Sequence, residues 1–345
     1  MEELLQKYDF DNEDIPLPAG TDTLGVLSST YPVVEQGELV WIDRERVEHL
    51  VDQWTAQSET GKITPPAWYD AYHFFDGTER TVNWILVLDA LNFCFWAEKG
   101  QPRWTVEYHG TTLNGYLAEA AVLTRAVEEQ LPLWDAQYLS MMSENDLAHI
   151  FRGQQSIPLF EQRLYNIREV GRILLERYGG QFVHAIEQAG YNAVLLASLL
   201  AREFSSFHDV ALYRGKEVRF LKRAQICVAD IYGAFGGKSW GALTNMDQLT
   251  AFADYKLPQV LRHVGVLEYA PALTKQVDNQ ELIEAGSEEE VEIRAATVWS
   301  CELLRQEMAR RGSLLTAAEI DLRLWLLGQH TPDMKPYHRT RTIFY

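Results

Sequence analysis

Cysteine is scarce in this sequence of 345 residues, with three in the whole chain. Cys94, Cys227 and Cys301 lie far apart among apolar neighbours, and their spacing matches no disulfide framework and no paired metal-binding motif. This pattern argues against a small secreted domain held by disulfides and against a zinc site. We expect reduced, buried thiols and a cytoplasmic protein with no metal.

Long apolar runs and basic clusters are missing as well. No uncharged apolar stretch reaches the ~18 residues of a membrane-spanning helix, and the acidic start, MEELLQKYDFDNEDIP, lacks the apolar segment of a signal peptide. Lys and Arg number 31 against 49 Asp and Glu, which gives a net charge of −18. Because such a surface repels phosphate backbones, we expect neither a membrane nor a long nucleic acid as partner, while a single small phosphate is permitted.

Several familiar catalytic signatures are absent too. The sequence contains no GxGxxG, no GxxxxGK[ST], no HExxH, no GxSxG and no paired CxxC. Rossmann oxidoreductases, P-loop NTPases, zinc proteases and α/β-hydrolases are therefore poor candidates.

Helical patterns dominate what is present, and capping signals punctuate them. Ser143 with Asp146, Ser287 with Glu290, and Thr316 with Glu319 each predict a helix start. We expect a mainly α protein with a small β-containing part in residues 1–110, packed on a helical part in residues 111–345 as one compact unit. In detail, we expect extended pieces at YPVVEQ and ELVWI, a hairpin within FCFWAEKGQPRWTVEYHG, a short helix from Thr244 to Phe252, and a last helix that ends at Gly328.

Carboxylates inside apolar helices are the most informative residues. In EIDLRLWLLGQH, Asp321 lies between apolar neighbours, with Trp325 one turn further on the same face. A buried ionised carboxylate is costly unless it is paired or used in chemistry. The alternative is a solvated stripe that includes Arg323, and the sequence leaves both interpretations open.

Two further carboxylates lie in similar surroundings. In FLKRAQICVADIYGAF, Lys222 and Asp230 share a helix face roughly 12 Å apart, and either an ion-pair network or a common cavity fits them. Asp254 lies in a tight joint between two helices, beside the aromatic residues Phe252 and Tyr255. An aromatic ring and an acid are what a purine-like base needs, but Asp254 also fits a simple helix cap.

Histidine and arginine supply the remaining candidates. His73 lies in the aromatic stretch AYHFFDGTE, and a structural role or a ligand contact are both open. The tail DMKPYHRTRTIFY is locally basic, and the alternation of Arg339 and Arg341 would place both on one face of an extended segment, suited to a phosphate. The alternative is a cationic strand that neutralises an acidic body.

Several long segments, taken together, resemble the queuosine salvage protein family. They are RFLKRAQICVADIYGAFGGK, LTAFADYKLPQVLRHVGVLEY, GSEEEVEIRAATVWSCELL and YHRTRTIFY, and TVNWILVLDALNFCFW extends the resemblance toward residue 20. Members of this family are queuosine 5′-phosphate N-glycosylases/hydrolases, similar in their helical part to helix–hairpin–helix DNA glycosylases. The resemblance implies that fold and an enzyme that releases queuine from queuosine 5′-phosphate without a cofactor.

Carried over position by position, the resemblance implies a queuine pocket lined by His73, Phe252, Asp254, Asp321 and Trp325. Asp321 would act as the nucleophile or stabilise the oxocarbenium ion, Phe252 would stack on the base, and Asp254 would accept its N–H groups. Lys222, Arg339 or Arg341 would hold the phosphate. Leu326 departs from the family pattern, which has a further aspartate there.

Two other functions stay open at this point. One is a non-catalytic protein that binds a modified purine-like base or nucleotide, and the other is a glycosylase that excises bases from nucleic acid. The net charge of −18 opposes the second. The sequence indicates no oligomeric state.

Overall fold

The computed structural model describes residues 22–58, 63–68 and 71–345, and most of these residues are helical. None of the described helices is long and apolar enough to cross a membrane. In chain order the α-helices are α1 (Val26–Gln36), α2 (Arg44–Ala56), α3 (Glu79–Leu91), α4 (Gly115–Glu128), α5 (Ala136–Ser140), α6 (Glu144–Ile150), α7 (Phe160–Tyr178), α8 (Val183–Gln188), α9 (Ala193–Glu203), α10 (Lys222–Ala234), α11 (Lys256–His263), α12 (Pro271–Asp278), α13 (Glu288–Arg310) and α14 (Ala317–His330).

The strands are short and pair two by two in antiparallel ladders. They are β1 (Val40–Ile42) with β6 (Leu267–Tyr269), β2 (Thr105–Tyr108) with β3 (Thr111–Asn114), and β4 (Val210–Tyr213) with β5 (Lys216–Arg219). The mainly α prediction is confirmed. The strands β1 and β2 lie in the first 110 residues, where a small β contribution was expected, and β3 to β6 lie beyond them. The likeness to helix–hairpin–helix glycosylases stays a prediction.

The chain divides into two compact units that interleave along the sequence. Among the described residues, the first unit comprises 22–58, 63–67, 210–222 and 247–341, and the second comprises 68, 71–209, 223–246 and 342–345. The division into residues 1–110 and 111–345 was drawn from a change in residue pattern, and it stays a prediction. Residue 110 itself lies within the second unit.

Helix α13 forms the centre of the first unit. It packs against α1, α2, α11 and α14, so apolar residues are buried on all its sides rather than along one stripe. The Ser287 side chain caps its start by accepting the Glu290 N–H, as predicted. Trp299 is fully buried and donates its indole N–H to Thr30 Oγ1 at 3.0 Å.

Helix α3 is the corresponding buried helix of the second unit. Every residue from Thr81 to Leu91 is buried, and α4, α7 and α8 pack against it. Its last carbonyls accept hydrogen bonds from buried side chains: Arg223 binds Asp89 O and Ala90 O, and Arg163 binds Leu91 O. Burial lowers the pKa of Arg223 to about 10, and the charges of Asp209, Asp89 and Glu119 partly oppose this effect.

Several local predictions are confirmed and others are wrong. The capping boxes at Ser143 and Thr316 are present, and ELVWI contains β1. YPVVEQ was expected to be extended but lies in α1. The hairpin consists of β2 and β3. The aromatic residues from Phe93 to Trp96 are buried but form no strand. Residues 244–252 form only the 3₁₀ turn Met246–Gln248, and α14 continues past Gly328 to His330.

Candidate active site

Asp321 is a buried carboxylate on α14. The capping box at Thr316 fixes the start of this helix, and that start directs Asp321 inward, in the same stretch as the fully buried Ile320 and Leu324. Asp321 is 6% exposed. The alternative of a solvated stripe is therefore wrong, and the guanidinium of Arg323 lies 4.8 Å from the Trp54 ring instead.

One backbone group contacts Asp321 directly. The N–H of Phe252 donates to Asp321 Oδ2 at 2.6 Å, and no other hydrogen bond to Asp321 is found among the described residues. Burial raises the pKa of Asp321 well above its usual range; the Phe252 N–H opposes this, nearby Asp254 adds to it, and Lys222 opposes it. Asp321 thus has one oxygen fixed by the backbone and a strong preference for a cationic neighbour when it is ionised.

Asp254 lies two residues before the first residue of α11, and its side chain caps the first N–H groups of that helix. Its Oδ1 accepts the N–H groups of Lys256 at 2.7 Å and Leu257 at 2.8 Å, so the cap interpretation is confirmed. Among the described residues, Oδ2 of Asp254 has no hydrogen-bond donor. A cap and a ligand contact are therefore compatible, since they use different oxygens.

Arg294 holds the loop that carries Phe252 and Asp254, and the sequence analysis missed it. Its Nε donates to Ala253 O at 3.1 Å, and its guanidinium lies 3.9 Å from the centre of the Phe220 ring. Arg294 is almost completely buried and also pairs with Glu290 at 3.4 Å. An arginine inside the apolar run EIRAATVW was the available signal.

Three more predicted residues lie in the first unit. Lys222 is the first residue of α10, is buried, and acts electrostatically on Asp321. Trp325 follows Asp321 by one turn of α14 and is half-buried. The ring of Tyr255 packs against Tyr337 at 4.8 Å, so Tyr255 contacts the C-terminal segment.

The basic tail places its two arginines in different environments. Arg339 is buried, and its side chain donates to Gln280 Oε1 at 2.7 Å. Its backbone pairs with that of Leu282 in an isolated parallel β-bridge. Arg341, by contrast, is exposed. His338 between Tyr337 and Arg339 is buried, and burial together with Arg294 lowers its pKa to about 3. The expected alternation on one face is absent from the burial pattern, and phosphate binding by either arginine stays a prediction.

In the second unit, His73 and Asp230 lie in one cluster of aromatic and polar side chains, in which Trp68 packs against His73 and binds Asp230. His73 Nε2 lies 2.6 Å from Tyr116 Oη, and Trp68 Nε1 donates to Asp230 Oδ1 at 3.0 Å. Burial, and after it the charge of Asp230, raises the pKa of Tyr116 well above its usual range. Tyr116 and Trp68 were missed, because nothing in the sequence indicates which side chains meet His73. The structure thus joins Phe252, Asp254, Asp321 and Lys222 in the first unit, and His73 and Asp230 in the second.

A family model described as queuosine salvage protein matches residues 72–345. This chain belongs to the queuosine salvage protein family. The match includes every predicted site residue, from His73 to Arg341. The resemblance inferred from the sequence motifs is therefore confirmed.

Three curated relatives have the same name, queuosine 5′-phosphate N-glycosylase/hydrolase. One from Sphaerobacter thermophilus is 51% identical over 325 residues, covering 94% of this chain and 98% of the relative. One from Mus musculus is 37% identical over 279 residues, covering 77% and 82%. One from Bos taurus is 35% identical over 329 residues, covering 91% and 96%. The likeness covers at least 82% of the length of each of these relatives.

Proposed function

We propose that this chain hydrolyses queuosine 5′-phosphate to queuine and ribose 5-phosphate. The 51% identity with a relative of that name, over nearly both whole chains, supports the reaction. Asp321 supports the chemistry, because it is a buried carboxylate with a single hydrogen bond among the described residues. The reaction is an N-glycosidic hydrolysis, and the substrate is a small nucleotide.

Departure of the base is the difficult step. Queuine is a 7-deazaguanine and has no N7 to protonate, so the enzyme has to stabilise a cationic sugar strongly. An ionised Asp321 below the anomeric carbon supplies this stabilisation, which is largest where water is excluded. The desolvation that raises the pKa of Asp321 in the free protein is the same property that strengthens its attraction to a ribosyl cation.

Phe252 and Asp254 suit recognition of the base. The Phe252 ring would stack on the heterocycle while its own N–H holds Asp321 Oδ2, so base binding and acid placement share one residue. Asp254 would accept base N–H groups at Oδ2, since Oδ1 caps α11. Trp325 and Tyr255 of the same unit would complete the pocket, and a contact of His73 with the substrate stays a prediction from the family resemblance.

The 5′-phosphate requires a cation. Lys222 is buried and acts on Asp321, so it would lie near the sugar, and Arg341 is exposed and accessible to a phosphate. Arg339 already binds Gln280 and is the weaker candidate. Asp230 accepts the Trp68 indole N–H, and its contact with the substrate stays a prediction. Water then attacks the anomeric carbon to complete hydrolysis, and we expect no cofactor, membrane or long nucleic acid to take part.

Product analysis tests this function. The purified chain is incubated with queuosine 5′-phosphate, and free queuine and ribose 5-phosphate are separated by chromatography. We expect both products in equal amounts, and a strongly reduced yield for Asp321→Asn. Binding of the nucleotide without release of queuine would instead indicate a non-catalytic binding protein, and base release from oligonucleotides would indicate a nucleic-acid glycosylase.

A further inference from the structure

Three consecutive residues, Phe252, Ala253 and Asp254, are each held by a different helix of the first unit. The N–H of Phe252 donates to Asp321 Oδ2 on α14 at 2.6 Å. The carbonyl of Ala253 accepts a hydrogen bond from Nε of Arg294 on α13 at 3.1 Å. Asp254 Oδ1 accepts N–H groups at the start of α11. The loop is therefore fixed at three successive residues, and the Arg294 side chain fixes the middle one.

Arg294 is itself fixed on more than one side. It is buried, and its Nη1 lies 3.4 Å from Glu290 Oε1, one turn earlier on α13. Glu290 in turn accepts the N–H of Gly286 at 3.0 Å. The guanidinium carbon of Arg294 lies 3.9 Å from the centre of the Phe220 ring. Because a guanidinium is planar and its N–H groups have fixed directions, Arg294 can hold the Ala253 carbonyl in one place, whereas a lysine has neither the plane nor an Nε donor.

The position of Ala253 affects both neighbouring acids. A shift of its carbonyl would move the Phe252 N–H, which holds Asp321 Oδ2. The same shift would turn the Asp254 side chain, whose Oδ1 is held by α11 and whose Oδ2 is expected to face the base. Misplacement of a reacting group by roughly 1 Å can cost about 100-fold in rate. A residue that fixes Ala253 can therefore influence the reaction without contact with the substrate.

We propose that Arg294 is a positioning residue for the N-glycosidic hydrolysis, which holds the Ala253 carbonyl and so keeps the Phe252 N–H on Asp321. The inference deepens the proposed function and rests on it. The hydrogen bond at its centre can nevertheless be tested without any substrate.

Hydrogen exchange at the Phe252 amide provides that test. In the full chain labelled with ¹⁵N-phenylalanine, the Phe252 signal is identified by its loss in Phe252→Leu. We expect Arg294→Lys to exchange this amide about tenfold faster than wild type, because a hydrogen bond to a carboxylate is weakened. Phe204, whose N–H donates to Leu200 O at 3.0 Å in the second unit, should keep its rate. An unchanged rate at Phe252, or equal acceleration at Phe252 and Phe204, would overturn the inference.

Arg305→Lys is the matched control. Arg305 lies on the same helix and, like Arg294, pairs with a glutamate of that helix, with its Nη2 2.6 Å from Glu302 Oε1. We expect the Phe252 amide to keep its wild-type exchange rate in this variant. Acceleration equal to that in Arg294→Lys would show a general effect on α13 and would contradict a specific role of Arg294.

A second variant covers the case in which Arg294→Lys does not fold. Arg294→Met combined with Glu290→Gln removes both charges of the buried pair, so neither charge is left unpaired inside the protein. Methionine fills much of the space of the arginine side chain but donates no hydrogen bond. We expect the Phe252 amide to exchange about tenfold faster here as well, and a wild-type rate would overturn the inference.

The pH profile of kcat/KM for queuosine 5′-phosphate gives a readout that a general loss of stability would not move. Burial raises the pKa of Asp321, and the Phe252 N–H opposes this increase. We therefore expect Arg294→Lys to shift the midpoint of the profile to higher pH, and an unmoved midpoint would contradict the inference. The variant retains the other groups that face Asp321 from neighbouring elements: Lys222 of α10, Asp254 of the loop and Cys301 of α13.

The size of the kinetic effect separates this inference from the proposed function. We expect Arg294→Lys to lower kcat/KM about 10- to 100-fold, and Arg305→Lys to leave it unchanged. Equal kcat/KM in Arg294→Lys and wild type would overturn the inference alone. A wild-type protein that releases no queuine, but whose Phe252 amide is protected and loses this protection in Arg294→Lys, would refute the proposed function and leave the role of Arg294 in holding the loop.

Discussion

Two buried carboxylates of the first unit, Glu292 and Asp321, show how a fold treats acids differently. Glu292 lies on α13 and has both oxygens occupied: Oε2 accepts the N–H groups of Leu39 at 2.8 Å and Val40 at 3.2 Å, and Oε1 accepts Tyr213 Oη at 2.9 Å. Asp321 on α14 accepts one hydrogen bond among the described residues, from Phe252. Both side chains are buried.

The difference shows which acid serves the structure and which one is available for chemistry. Burial raises the pKa of Glu292, but its donors offset part of that effect, whereas the pKa of Asp321 rises well above its usual range. Glu292 ties β1 and β4 to α13, so its hydrogen bonds stabilise the fold. Asp321 keeps an oxygen for a cation, so its burial costs stability and supports reactivity.

Replacement of Asp321 and of Glu292 by the corresponding amides should give the largest difference between a catalytic and a structural carboxylate. We expect Asp321→Asn to lower kcat/KM by about 100- to 1,000-fold, the usual loss when one electrostatic stabiliser of a transition state is removed. Glu292→Gln should keep kcat/KM and lose about 1–3 kcal/mol of unfolding free energy, because its amide N–H₂ would face donors. Steady-state kinetics and urea unfolding of both variants measure these effects.

The unfolding free energy of Asp321→Asn distinguishes a catalytic from a structural role of this carboxylate. The folded pKa of Asp321 is raised, so its ionisation reduces stability as the pH rises from the unfolded value toward the folded one. The variant should therefore be at least as stable as wild type at neutral pH. A large loss of stability would show that Asp321 serves the fold in the way Glu292 does, and the comparison would break.

Asp254→Asn should have the next largest effect. Asparagine caps helices as well as aspartate does, so α11 should remain intact while the charge facing the base is lost. We expect KM to rise about tenfold, the effect of weakening roughly one charge-assisted hydrogen bond, with kcat little changed. Asp135→Asn is the matched control, since Asp135 caps α5 by accepting the Tyr138 N–H at 2.7 Å. Equal kinetics for both variants would remove Asp254 from base recognition.

Neutralisation of the tail should have a smaller effect. If Arg341 contacts the 5′-phosphate, Arg341→Gln should raise KM for the nucleotide a few-fold and leave KM for the dephosphorylated nucleoside unchanged, since an exposed ion pair is worth roughly 1 kcal/mol or less. Arg339→Gln should mainly reduce stability, because it removes the hydrogen bond to Gln280 Oε1. Arg172→Gln, which alters an exposed pair with Glu176 in the other unit, controls for net charge. If the preference for the nucleotide over the nucleoside is unchanged in Arg341→Gln and in the variant that combines it with Arg339→Gln, the phosphate binds elsewhere.

His338 should control how the protein responds to acid. Its pKa is about 3 in the folded protein, below the usual 6.5. Between pH 3 and pH 6.5, His338 is therefore protonated in the unfolded chain and neutral in the folded one. Stability from this residue is complete above pH 6.5 and declines as the pH falls toward 3, by up to about 1.4 kcal/mol per pH unit. His338→Gln should flatten this part of the stability–pH curve, which urea unfolding at a series of pH values measures. Parallel curves for wild type and His338→Gln would contradict this.

Local sequence patterns were sufficient for many helices and for two of the acids. Capping boxes located α6 and α14, and the apolar neighbours of Asp321 indicated its burial. Asp254 was recognised both as a cap and as a site candidate, and the cap is present. These features depend on residues three or four positions apart, which a sequence displays directly.

Long-range partners could not be predicted in the same way. Glu292 meets Leu39 from 253 positions away, and His73 meets Tyr116 from 43 positions away. The aromatic run after Phe93 was taken for a strand, because strand and irregular buried segments favour the same side chains. The function itself came from the family motifs, since composition and periodicity alone indicated only a helical protein with buried acids.

The pH dependence of kcat/KM for queuosine 5′-phosphate tests the role of ionised Asp321 most directly. An ionised carboxylate is needed to stabilise the sugar cation, and its pKa in the free protein is raised by burial. We predict that kcat/KM rises with pH through a single ionisation whose midpoint lies well above the usual aspartate value of 3.8, and that the residual activity of Asp321→Asn lacks this step. A wild-type profile that falls through the same range would assign Asp321 as a proton donor, and a profile shared by wild type and variant would exclude it from the reaction.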